Sequence, residues 1–393
     1  MCAFSFTVFV SVFQLLPTAP YQVLALGGST VAAGLFLGFL TFASAIAAPF
    51  TGAIGDRIGQ RRVLITVSLI LAVFTASYAV ITDYRLMLGI VFVHGVFWSG
   101  LLSASGAYMT SSVPATRRAE GLGYWGLASV FAVGAAPAIG FWVYRYGWVA
   151  LCLEITALNL LMAVIAWRLP DDRHGAHGHD AAAAPVPHAS WHVIEWRVLL
   201  LSAALGLVSF GYGGLTSFSA LYADDLHVTP RGLFLSAMAL AILVGRLTLG
   251  RSLDRIGHRR VLTRCLLIPP AGLALLAVAN GQITFVLAAL LFGAGFGLMH
   301  PAFTAYVMTH VPFARRGAAF GAMLAAFDTG IGAGSTAMGW VIHQMGFRPA
   351  FGLTAVVAAA SLPVFLLAER RLGFRNQPPV APIPANSGNL KAL

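Results

Sequence analysis

Twelve stretches of this chain are apolar for about twenty residues at a time, with short polar connections between most of them. An α-helix rises about 1.5 Å per residue, so a run of that length crosses the ~30 Å hydrocarbon layer of a bilayer. Lipid offers no hydrogen bonds, so every backbone polar group must be satisfied within the protein, by helices or by a closed barrel. The runs do not alternate apolar with polar residues as barrel strands do, and helices are therefore predicted. The spans fall near 4–22, 31–52, 63–81, 86–112, 121–143, 148–167, 197–219, 230–251, 261–279, 282–308, 317–341 and 349–369. Composition agrees, since 59% of the 393 residues are hydrophobic and only 9% charged. Soluble domains carry about 25% charged residues, and a soluble fold of this length would lack the polar surface to cover its core.

The formal net charge is +11. The arginines sit in short connections between apolar runs, which is the positive-inside pattern rather than a nucleic-acid surface. Arg57, Arg61, Arg62, Arg117, Arg118, Arg255, Arg259, Arg260, Arg315, Arg316, Arg370 and Arg371 all fall on one side, and Arg85, Arg145, Arg231 and Arg348 on the other. With twelve spans, both termini are expected in the cytoplasm. Residues 1–16 are apolar but lack a basic leader and a clear small-residue cleavage site, so a first transmembrane helix is expected rather than a signal peptide. Its flank is so short that a start further upstream is an open expectation. Cys2, Cys152 and Cys265 are far apart and imply neither a disulfide framework nor a metal site.

Residues 168–196 form the longest connection, rich in His, Ala and Pro, and read as a cytoplasmic linker. It separates an N-terminal six-helix bundle (1–167) from a C-terminal one (197–369), and 370–393 reads as a disordered cytoplasmic tail. Within the linker, His174, His177 and His179 have a spacing that could hold a transition metal loosely, but a flexible linker with a compositional bias is the preferred reading. No metal or other cofactor is expected.

The two halves repeat. The string from Gly52 to Leu64, with Asp56, Arg57, Gly59, Arg61 and Arg62, recurs from Gly250 to Leu262 with Asp254, Arg255, Gly257, Arg259 and Arg260, at an offset of 198. In the same register Pro114 meets Pro312, Arg117 and Arg118 meet Arg315 and Arg316, and Gly123 meets Gly321. Internal repeats of this kind build many transporters, with the substrate site between the halves.

Gly-x-x-x-Asp-Arg-x-Gly-x-Arg-Arg between spans 2 and 3, present twice, resembles the signature of the major facilitator superfamily, and the resemblance extends over nearly the whole chain. It implies two pseudo-symmetric six-helix bundles that rock around a central cavity, usually in a monomer. It also implies that Asp56 meets the start of span 11 near Arg316 and Gly317, latching the cytoplasmic side, and that Asp254 meets Arg118 and Ala119 by symmetry. The physics is compatible: a helix start carries partial positive charge, Gly52 and Gly250 allow close helix approach, and Gly59 and Gly257 permit a tight turn. Span 5, with Gly126, Gly134, Pro137 and Gly140, resembles the Gly/Pro-rich signature of exporters in that family. The match is partial, because Ala132 and Ala136 stand where that pattern has glycine. Span 4 departs further: Val91 replaces the Arg that many drug exporters carry, and His94 stands where they often have Gln.

Ionisable residues within the membrane are costly and are candidates for function. Asp328 near the middle of span 11 is the lone deep carboxylate; His300 lies at similar depth in span 10, His94 in span 4, and Glu154 two turns into span 6. These are candidates for proton coupling or substrate binding, and His300 is placed to interact with Asp328. Gln14, Trp98, Tyr124, Trp125, Asn159 and Tyr212 are candidates to line the cavity. Arg246 is placed within two turns of the cytoplasmic end of span 8, so no deep cation is expected. That favours a neutral or cationic substrate over an anionic one.

The sequence thus predicts a non-enzymatic secondary transporter of the bacterial-type inner membrane, working by alternating access and exporting small organic compounds against protons. A proton-coupled uptake symporter is the alternative. A membrane-embedded sensor or enzyme is disfavoured, because the chain has neither a His-Glu-x-x-His nor a Gly-x-Ser-x-Gly string.

Overall fold

The computed structural model describes residues 1–113, 118–170, 195–249, 256–312 and 315–374. Their secondary structure is helical: α1 (Cys2–Ala25), α2 (Thr30–Ile58), α3 (Gln60–Tyr78), α4 (Tyr84–Ser112), α5 (Arg118–Tyr144), α6 (Trp148–Trp167), α7 (Trp196–Asp225), α8 (Leu233–Leu249), α9 (His258–Ala277), α10 (Gln282–His310), α11 (Arg316–Met345), α12 (Phe347–Ala359) and α13 (Ser361–Arg371). Ten spans among the described residues are long and apolar enough to cross a membrane, the last of them α12 and α13 taken together. The shorter apolar α8 and the 30-residue α11 bring the number of spans to twelve.

Local signals set the helix ends. Ser29 caps α2 by accepting from the Ala32 amide, and Asp83 caps α4 through the Arg85 amide. The repeated motif makes the same turn in both halves: Gly59 between α2 and α3 has φ 99°, and Gly257 before α9 has φ 92°. Residues with a Cβ rarely adopt that backbone, which accounts for glycine at both places. The final span departs from prediction by breaking at Ala360. Pro363 lies in the first turn of α13 and has no amide to donate back to α12, so one ladder bond is lost there. Helix α7 runs on to Asp225, six residues past the predicted end of its span.

Helices α1–α6 and α7–α13 form two bundles. The start of α1, the end of α13 and the glycine turns before α3 and α9 share one end of the molecule, called here the basic end; the other is the far end. One apolar core near the far end draws on both bundles, including Phe36 and Leu40 with Phe218 and Met338. Towards the basic end the core divides into a C-terminal cluster around Phe303 and Phe365 and an N-terminal one around Leu64 and Leu101. The halves are therefore fused at the far end and packed separately at the basic end. Exposed apolar side chains such as Leu153, Leu161, Leu240 and Leu287 form the lipid-facing belt, with Trp142, Tyr146 and Trp340 near the far end and Trp167 and Trp196 near the basic end.

Candidate functional site

Hydrogen bonds between the halves, among the described residues, run only from the middle of the helices to the far end. On the α2–α11 seam, Thr30 Oγ1 donates to the Gly339 carbonyl at 2.9 Å and Ser335 Oγ to the Gly34 carbonyl at 2.8 Å. Glycines make this seam possible: a Cβ on Gly34 would lie 2.3 Å from the Ser335 carbonyl oxygen. On the α5–α8 seam, Ser236 Oγ donates to the Gly134 carbonyl at 3.0 Å, and Gly232 packs on the backbone of Pro137. The small residues of the Gly/Pro stretch in α5 are thus where the other half docks. Gly140 instead receives Gln14 of α1. At the far end, Tyr21 donates to Asp224 Oδ2 at 2.9 Å, Arg231 donates to Asp224 Oδ1 at 2.8 Å, and the Arg231 guanidinium lies 4.9 Å over the Tyr21 ring.

The mid-helix layer holds the polar groups of interest. Ser44 stands at the centre of the 29-residue α2 and donates to Asp328 Oδ2 of α11 across the halves at 3.3 Å. That is long for a hydroxyl donor, so the bond is weak. His300 of α10 meets the edge of the Phe327 ring, with centroids 5.5 Å apart, and makes no hydrogen bond to Asp328. Tyr212 of α7 stacks on Phe296 at 4.5 Å, and Phe296 in turn approaches Phe327. Arg246 of α8 donates from Nε to the carbonyl of Gly297, at the middle of α10, over 3.3 Å. This revises the expectation that no cation lies deep, because the side chain reaches inward from a Cα near the basic end.

Other candidates pack inside the N-terminal bundle. His94 shares a 3.1 Å hydrogen bond with the Tyr78 hydroxyl and stacks on Phe74. Asn159 accepts from Ser11 and donates to Thr75. Gln14 donates to Glu154 Oε1 at 3.0 Å and is fully buried. Trp98 meets Phe9 edge-on and, with His94, Ser11 and Asn159, lines a space of about 10 Å³, room for one water. These side chains join helices of one bundle and leave the seam between bundles to others.

At the basic end the repeated arginines play matching parts. Arg61 donates to the Ala166 and Trp167 carbonyls in the last turn of α6. Arg259, its counterpart, holds Glu369 of α13 through bonds of 2.6 and 2.8 Å, and Tyr306 adds a third at 2.7 Å. Each ties the third span of its half to the end of the sixth, where a cation complements the helix dipole. Arg315 reaches Glu195 at 3.4 Å and Arg316 the Met308 carbonyl at 3.1 Å, while Arg57, Arg62 and Arg260 lie towards the surface. Gly52 and Asp56 fall in α2, and Arg118, Tyr124 and Trp125 in α5, but beyond their place in these helices they lie outside the described part. Arg117, Gly250, Asp254, Arg255, His174, His177 and His179 lie outside the described residues altogether. Sequence reasoning missed Ser44, Phe296, Phe327 and the Tyr21–Asp224–Arg231 cluster.

Comparison with known proteins agrees with this architecture. The chain matches the Major Facilitator Superfamily over residues 1–269 and, in an overlapping match, 232–392. It belongs to that family. An uncharacterized MFS-type transporter of Pseudomonas aeruginosa strain UCBPP-PA14 is 27% identical over 371 residues, 88% of this chain and 86% of the relative. Among solved structures, a bacterial homolog of the human lysosomal transporter Spinster, inward-facing and unoccupied, superposes with a TM-score of 0.77 at 14% identity, covering 97% of this chain and 98% of that one. The nucleoside transporter NupG superposes at 0.75 with 15% identity, over 93% and 97%. The protein is thus a multi-pass membrane protein of a family of secondary transporters.

Proposed function

We propose that this protein is a proton-coupled transporter that works by alternating access and exports small organic compounds across a bacterial-type inner membrane, with both termini in the cytoplasm. The observation that carries the reading is Asp328, a mid-helix carboxylate whose described hydrogen bond, from Ser44, comes from the other half. A carboxyl there is costly when charged and unpaired, so it takes up and releases protons as its surroundings wet and dry. Movement of α2 against α11 changes those surroundings directly. The core shared at the far end and divided at the basic end is the shape of a state closed on one side.

Export is favoured by the Gly/Pro stretch of α5, whose small residues receive α8. Arg246 favours the second reading, uptake by symport, because an anion near Asp328 would raise the affinity of that carboxyl for a proton. Flux into and out of proteoliposomes across a compound library, under an imposed pH gradient, tests both. Export predicts substrate movement opposite to the proton gradient, and symport predicts movement along it. Flux insensitive to the gradient for every transported compound would refute proton coupling.

A further inference from the structure

Arginine 246 lies on a definite face of α8. Ser236, Ala239 and Arg246 are spaced along one stripe, and each faces α5 of the opposite half: Ser236 bonds the Gly134 carbonyl, Ala239 lies against Gly134, and an Arg246 terminal nitrogen lies 3.8 Å from where a Cβ on Gly126 would be. The lipid-facing stripe of the same helix is Leu240, Val244 and Leu247. The guanidinium therefore sits between the halves.

Its Nε bonds inside the C-terminal half while a terminal nitrogen stays beside Gly126. Gly297, whose carbonyl accepts from Arg246 Nε, packs against Ile242, one turn further from the basic end than Arg246 itself. Among the described residues no carboxylate lies within ion-pair distance, and that one carbonyl takes one of five guanidinium donors. A cation so placed within the bilayer is costly unless it meets a wet cavity or an anion. His300, one turn along α10 from Gly297, stands one turn from Thr304, whose buried hydroxyl has no partner among the described residues. Phe296 and Phe327 supply half-buried aromatic surface beside His300.

We propose that the Arg246 guanidinium, set between the halves at the mid-helix layer, binds the anionic group of the transported compound, a small organic anion whose apolar or aromatic body lies against Phe296 and Phe327. The planar fork of the guanidinium matches a carboxylate, phosphate or sulfonate with two parallel bonds. The proposal rests on the transporter reading but not on proton coupling or direction.

The test is binding to the full-length protein in nanodiscs, with no pH gradient, so that its outcome is independent of coupling. Thermal stabilisation is titrated with benzoate, phenyl phosphate and benzenesulfonate, and with benzamide, benzyl alcohol and benzylamine as neutral and cationic counterparts. At least one anion should bind saturably and more tightly than every counterpart. Arg246→Gln should weaken that binding at least tenfold, and Arg246→Lys, which keeps the charge but not the fork, should lie between. Failure of all three anions to bind, equal binding of the counterparts, or full-strength anion binding by Arg246→Gln would overturn the proposal. Should Arg246→Gln not fold, the wild-type comparison and Arg246→Lys decide alone.

Discussion

Replacing Gly34 by alanine should unlock the far end. A Cβ there would lie 2.3 Å from the Ser335 carbonyl oxygen and 3.1 Å from its carbon, both backbone atoms that cannot turn aside. Ordinary contact begins near 3.4 Å, so α2 and α11 must part by about 1 Å, straining the 2.8 Å bond from Ser335 Oγ to the Gly34 carbonyl. Overpacking of this kind costs roughly 1–3 kcal/mol. The clash exists only while the seam is closed, so the cost falls on this state and shifts the balance towards far-open forms by about 5- to 150-fold. The assay is labelling of Thr41→Cys, with Cys2, Cys152 and Cys265 replaced by Ala. Thr41 is buried on this seam against Gly332, and with both termini in the cytoplasm, as proposed, a membrane-impermeant maleimide applied to intact cells reaches it only when the seam opens. Labelling should accelerate several-fold and transport should fall, with the amount of protein in the membrane little changed. Unchanged labelling with normal expression would refute the reasoning.

The Tyr21–Asp224–Arg231 cluster should matter less. Asp224 and Arg231 are 36% and 44% exposed, so Arg231→Ala should cost under about 1 kcal/mol and speed far-end labelling by less than fivefold. Glu369 is 1% exposed and receives Arg259 twice, but Arg259 is 42% exposed, so breaking the pair should cost about 2 kcal/mol, below the 3–5 kcal/mol of a fully buried pair. Glu369→Gln should therefore lower the melting temperature in detergent by several degrees, and an unchanged value would show the pair to be dispensable. If the His-rich linker is only a tether, changing His174, His177 and His179 to Ala together should leave transport and zinc or nickel tolerance of the host unchanged; lost tolerance would point to metal handling.

The membrane fold was legible because the apolar runs have bilayer length and because Gly59 and Gly257 repeat in one register and make one turn. Helix ends beyond the membrane were less so: α7 continues through Tyr222 to Asp225, where water as well as lipid permits a helix. Asp328 stood out as the lone deep carboxylate, but its partner Ser44 did not, since sequence does not give the register of α2 against α11. Gln14 and Asn159 were read as cavity candidates, and His94 as a candidate for proton coupling or substrate binding, because apolar-all-round helices do not advertise which face meets which neighbour. Arg246 was misplaced by judging depth from its Cα. Helical side chains lean towards the helix start, which for α8 is the far end, and that rule alone would have turned the guanidinium inward.

Asp328→Asn in proteoliposomes tests the central claim most directly. The amide copies the shape of a protonated carboxyl and can still accept from Ser44, but it cannot release a proton. Gradient-driven transport should be lost, while substrate exchange at equilibrium persists. If the variant still pumps against a gradient with its pH dependence intact, Asp328 is a packing residue and the account of coupling is wrong.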